Sequence, residues 1–79
     1  RADERGATIS LFGAHGDSME LRTEDGVSAI SLGCSTQSQA AYVTVTEDRI
    51  AIACPSKCGF IRRYEINRNT GTIHTDSDE

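Results

Sequence analysis

Residues 41–54 read Ala-Tyr-Val-Thr-Val-Thr-Glu-Asp-Arg-Ile-Ala-Ile-Ala-Cys. Two alternating runs, 41–46 and 49–54, flank the polar pair Glu47-Asp48. Period-two alternation rich in β-branched side chains marks a half-buried strand. A two-residue turn at Glu47-Asp48 sets Val45 against Ile50, Val43 against Ile52 and Ala41 against Cys54. The apolar members then share one face, and a slip of one residue would divide them between two.

Two more turns divide the chain in the same way. Asp25-Gly26 is a favoured pair for a two-residue hairpin, whose central positions need positive φ. Folding there sets Glu24 against Val27, Arg22 against Ala29, Leu21 against Ile30 and Met19 against Leu32. A four-residue loop, Arg68-Asn69-Thr70-Gly71, sets Ile66 against Ile73 and Tyr64 against Thr75. The stretch 64–71 resembles a closing hairpin of small bacterial envelope proteins, a resemblance that implies a bacterial, extracytoplasmic setting. A further β-like run, 7–12, ends at Gly13-Ala14-His15-Gly16. No stretch holds a helical apolar period for long, and 35–41 has room for one or two helical turns at most. The pattern predicts an all-β fold, a small antiparallel meander of six to seven strands closed as a barrel or a two-layer sandwich.

Size and composition bound the rest. The chain has 79 residues, 8 Lys and Arg against 12 Asp and Glu, and a formal charge of −4. Eighteen large apolar side chains suffice for one thin core. A cofactor-binding α/β domain does not fit this length, since one βαβ unit alone takes about 30 residues, so no cofactor is expected. No apolar run approaches the roughly 20 residues of a membrane helix. The acidic balance disfavours nucleic acid, whose phosphates call for a basic footprint. The sequence begins Arg1-Ala2 without an initiator Met, which is read as processing, by removal of a secretory signal or by a cut from a larger protein. Residues 1–6 are expected to fray, 7–75 to form the single domain, and 76–79 to form a disordered acidic tail.

The three cysteines gather at one pole if every hairpin reverses the chain. Alternation points Cys34 inward with Ile30 and Leu32, and Cys54 inward with Ile50 and Ile52; Cys58 lies in the adjoining loop, and His15 precedes a strand at the same end. A small core usually needs a staple. One disulfide is therefore expected, joining Cys34 to Cys54 or to Cys58, in a periplasmic or secreted protein. The thiol left over would be buried or would serve an intermolecular bridge. The alternative is a metal site, with His15, Cys34, Cys54 and Cys58 as a four-ligand zinc set.

Catalytic motifs are weak. Gly16-Asp17-Ser18 resembles the nucleophile block of the GDSL-type hydrolases, but that family's fold is a full α/β domain and this chain lacks the length. A nucleophile needs a base held against it, and neither His15 nor His74 has a partner visible in the sequence. Lys57, Arg62, Arg63 and Arg68 form the basic stretch, interleaved with Phe60 and Tyr64. Arginine and tyrosine are favoured at protein interfaces, so Arg62, Arg63 and Tyr64 are the expected partner-binding residues. The functional expectation is a small non-catalytic protein-binding module: an inhibitor, an adaptor or an assembly subunit. A sheet edge or the odd cysteine would also serve for a homo-oligomer.

Overall fold

The computed structural model describes residues 6–78. Among these residues, seven strands form two antiparallel sheets and there is no helix. The smaller sheet orders β1 (Thr8–Phe12), β2 (Ser18–Thr23) and β3 (Gly26–Ser31) side by side. The larger orders β4 (Tyr42–Val45), β5 (Arg49–Pro55), β6 (Ile61–Asn67) and β7 (Ile73–Ser77). Each sheet is a sequential meander, and residues 32–41 carry the chain from one to the other. The arrangement is sandwich-like; it is not a closed barrel.

The core lies between the inner faces. Met19 and Leu21 of β2 share it with Ile50, Ile52 and Cys54 of β5, Tyr64 and Ile66 of β6, and Leu32, Cys34 and Ala7. Met19, Leu32, Ile50, Ile52 and Ile66 are essentially sealed from water. Alternation delivers this result directly. Even positions of β5 and β6 point inward, and in β2 the odd ones do, so one stripe of each central strand is apolar.

Two hairpins keep the register read from the sequence. Val45 faces Ile50 and Val43 faces Ile52; Ile66 faces Ile73 and Tyr64 faces Thr75. The expected pairing of Ala41 with Cys54 lies outside the ladder, because β4 begins at Tyr42. The first hairpin differs. Its turn residues are Glu24 and Asp25, with Thr23 facing Gly26, Arg22 facing Val27, Leu21 facing Ser28 and Met19 facing Ile30. Each partner has shifted by two positions, so every side chain keeps its face. Placing Asp25 and Gly26 at the turn centre would demand positive φ at Asp25, and no residue other than glycine takes positive φ among the described residues. The Thr23 hydroxyl accepts from the Asp25 amide at 3.2 Å and closes the two-residue turn at Glu24-Asp25 instead. The helical turns allowed for at 35–41 do not form. Ser35 and Ser38 accept from the amides of Gln37 and Ala40, a local bonding that competes with helix.

Arg68 ties one end of the sandwich. Its amide donates to Asp48 O at 3.0 Å, and its carbonyl accepts from the Ala7 amide at 2.8 Å. Its guanidinium donates to Ala7 O and to Thr46 O. The start of β1, the β4–β5 turn and the β6–β7 turn therefore meet on one residue. Gly6 fits this corner because its φ is +85° and a Cβ there would stand 2.9 Å from Arg68 O. The chain end also departs from expectation. β7 continues to Ser77, Arg62 and Arg63 face Ser77 and Asp76, and the Asp78 amide reaches Ile61 O, so 76–78 are paired rather than a disordered tail. Of the expected frayed segment, residues 1–5 lie outside the described residues, as does Glu79 of the tail.

Tyr64 spans the layers, its hydroxyl donating to Leu32 O. Tyr64→Phe leaves a buried carbonyl without its donor and is expected to destabilise the fold by about 1–3 kcal/mol. Urea unfolding of the two proteins side by side measures it.

Candidate functional site

At the end of the sandwich opposite Arg68, the cysteine pole is a sealed joint. Cys34 and Cys54 form a disulfide with 5.6 Å between their Cα atoms, and both are buried. Cys34 also forms a β-bridge with Ser56. The Ser35 hydroxyl donates to His15 O at 2.9 Å, and the Thr36 hydroxyl to Gly16 O at 2.7 Å. The strand-to-strand connection is thus bonded to the β1–β2 turn and to the end of β5. Cys58 is the free thiol and is exposed.

This joint bears on the zinc reading. Two of its four expected ligands, Cys34 and Cys54, are spent in the disulfide, which leaves no thiolate on either. Among the described residues no group of three or more His, Cys, Asp and Glu side chains is placed to hold a metal ion. Gly16-Asp17-Ser18 is a turn entering β2, with Gly16 at φ +65°. His15 is exposed in that turn, and His74 is exposed on β7 opposite Glu65.

Two shallow clefts open near the Arg68 corner. One lies between the β2–β3 and β6–β7 turns and is lined by Arg22, Glu24, Asp25, Arg68 and Asn69 among others. The other lies beside Asp48, Arg49 and Glu65. Neither is lined by a histidine or a cysteine.

The expected interface residues separate. Tyr64 is 5% exposed and belongs to the core, so a partner cannot reach it while the sandwich is closed. Arg62 shares its inner face and lies 3.5 Å from the Tyr64 hydroxyl. Arg63 points the other way, onto the outer face of the larger sheet. There it grips Asp78 through two contacts, 2.6 and 3.2 Å. The register lays Tyr42, Ala53, Arg63 and Asp76 in one row across that face. Ala53 is 3% exposed although it points outward, since its small side chain sits between two large neighbours. Tyr42 is 55% exposed.

Sequence reasoning did not select Tyr42, but its signal was there. Val43 and Val45 face inward with Ile52 and Ile50, so parity turns Tyr42 outward, onto the face that carries Arg63. The outer row therefore presents an aromatic ring and a guanidinium over a floor of small side chains, Ala51 and Ala53. The guanidinium is held in one orientation by a paired carboxylate.

Charge reinforces that orientation. The hydrogen bond that Arg63 donates to Asp78, and then the Asp78 charge, push the guanidinium's value further up, with smaller contributions in the same direction from Asp76 and Tyr42. Reciprocally, the Arg63 hydrogen bond holds the Asp78 carboxyl below its ordinary value.

Among the described residues no helix is long and apolar enough to cross a membrane. No protein-family model, curated protein or solved structure matches the chain.

A carboxyl whose folded value is depressed stabilises the fold above its unfolded value, and that contribution is lost as pH falls through the folded value. The Asp78 resonance is therefore expected to titrate below an unpaired aspartate, and Arg63→Ala should return it to the ordinary range. Carboxyl-detected NMR titration of both proteins measures the difference. A disulfide-bonded pair with one exposed thiol also predicts one alkylated cysteine without reductant and three after reduction and unfolding, read by intact mass.

Proposed function

We propose that this chain is a small non-catalytic protein-binding module of an oxidising compartment, periplasmic or secreted. The observation that carries the reading is the outer-face row Tyr42–Ala53–Arg63. Tyrosine and arginine supply a large share of binding energy at protein interfaces, chiefly where a rigid support spares them the entropy of ordering. Both requirements are met by side chains of β4 and β6, on either side of β5 in a four-stranded sheet, with Asp78 fixing the guanidinium. An inhibitor, an adaptor and an assembly subunit would all use such a surface.

The staple supports this choice of compartment. A buried disulfide in a domain this small is compatible with an oxidising environment, because thiols are kept reduced in the cytosol. The sandwich would lose a stabilising cross-link there, typically worth about 2–4 kcal/mol.

The test is capture by the immobilised chain from an extracytoplasmic extract of its source, with identification and purification of the retained protein. Tyr42→Ala and Arg63→Glu leave the inner core untouched and are expected to weaken binding of the purified partner by roughly tenfold or more each. Calorimetry measures the affinities, and thermal unfolding checks that each variant folds. Equal affinity of both folded variants and wild type would remove this face from the reading, and failure to retain any specific protein would remove the reading itself.

A further inference from the structure

We propose that β4 is a self-pairing edge, and that the chain forms a two-fold dimer by antiparallel pairing of β4 with β4 of a second copy. The proposal does not rest on the outer-face reading, although a joined sheet would carry that face twice.

β4 lies at the edge of the larger sheet. The Thr46 amide donates to Arg49 O across the β4–β5 turn at 2.8 Å. Backbone groups of an antiparallel strand alternate sides, so Thr44 and Tyr42 also bond toward β5. Val43 and Val45 therefore direct both N–H and C=O to the open edge.

The side chains agree. Val43 and Val45 point to the inner face, where Ile52 and Ile50 beside them are sealed, yet they remain 38% and 56% exposed. The smaller sheet has one strand fewer and leaves β4 uncovered. Edge strands are normally guarded by charge, proline or a bulge. Residues 42–46 contain no charged residue and no proline. At the opposite edge of the same sheet, β7 carries Asp76, whose carboxylate already accepts from the Ser77 amide at 2.8 Å.

The register identifies the occupant. Centring the two-fold axis on Thr44 sets Val43 opposite Val45 of the copy and the reverse, so the outward-directed amides and carbonyls exchange hydrogen bonds. The valines of both copies then lie side by side on one face. The acidic turn Glu47-Asp48 falls opposite Ala40 and Ala41 of the copy, so no like charges oppose each other across the new ladder. A strand of four residues makes a small interface, and each chain carries a charge of −4. Association is therefore weak and repelled at long range, and added salt strengthens it by screening that repulsion.

Sedimentation equilibrium of the intact chain, up to roughly millimolar concentration and at low and high salt, tests the proposal. Wild type is expected to show a reversible monomer–dimer equilibrium that shifts toward dimer with salt. Val45→Pro removes one edge donor without touching the β5 ladder, and Val45→Lys places a charge on the same edge. Each is expected to weaken dimerisation by about tenfold or more, and having both keeps the test valid if the proline variant fails to fold. Ser10→Lys on β1 and Val27→Lys on β3, exposed positions of the two other uncharged edge strands, should dimerise as wild type does, and so should Cys58→Ser. A chain that stays monomeric throughout overturns the proposal. So does a dimer insensitive to Val45→Lys, a dimer lost in Ser10→Lys or Val27→Lys, or a dimer lost in Cys58→Ser.

Discussion

Everything else in this structure depends on one contact between layers, the apolar stripe of β2 laid over those of β5 and β6. A sheet with one apolar face must bury that face against another layer. Met19 and Leu21 supply the smaller sheet's share, and Ile50, Ile52, Tyr64 and Ile66 the larger's. The two meanders are joined by a single connection, so the inner faces must hold the layers in register. Two devices assist them at opposite ends. At one end Arg68 gathers three chain segments through backbone and guanidinium bonds. At the other, the Cys34–Cys54 disulfide and the Tyr64 hydroxyl bond to Leu32 O close the joint.

The same constraint explains where the surface is unusual. Three strands cannot cover four. The uncovered share falls on both edges of the larger sheet, where Val43 and Val45 of β4 and Ile73 of β7 keep the inward parity of their neighbours without the burial. On the outer face, alanines at positions 51 and 53 let Tyr42 and Arg63 approach across β5. The molecule thus carries an apolar edge and an aromatic–cationic row on adjacent parts of one sheet. Both are consequences of alternation on a small, unevenly layered scaffold.

Much of this was legible in the sequence, for identifiable reasons. The β4–β5 and β6–β7 registers follow from loop length and from the cost of placing Ile50, Ile52, Ile66 or Ile73 on the wrong face. Parity also points Cys34 and Cys54 inward, although it does not by itself exclude Cys58 as a partner. The β2–β3 turn was misplaced because the Asp-Gly rule describes an isolated hairpin. Here Thr23 bonds the turn locally, and a two-residue shift leaves the apolar faces unchanged, so burial does not penalise it. Residue type alone points Tyr64 to an interface, whereas its parity with Ile66 marks it for the core. The stacking of two open sheets rather than closure into a barrel was not legible. Strand pairing is written in local periodicity, but sheet closure depends on contacts between layers that no short segment encodes.

If the interlayer core makes the two sheets one cooperative unit, their most protected amides must open together. Native-state hydrogen exchange at low protein concentration tests this directly. The slowest amides of β2 are expected to exchange with the same opening free energy as those of β5 and β6, equal to that of global unfolding. Exchange of β2 through a distinctly easier opening, while β5 and β6 stay protected, would mean that the smaller sheet detaches on its own and would contradict the account.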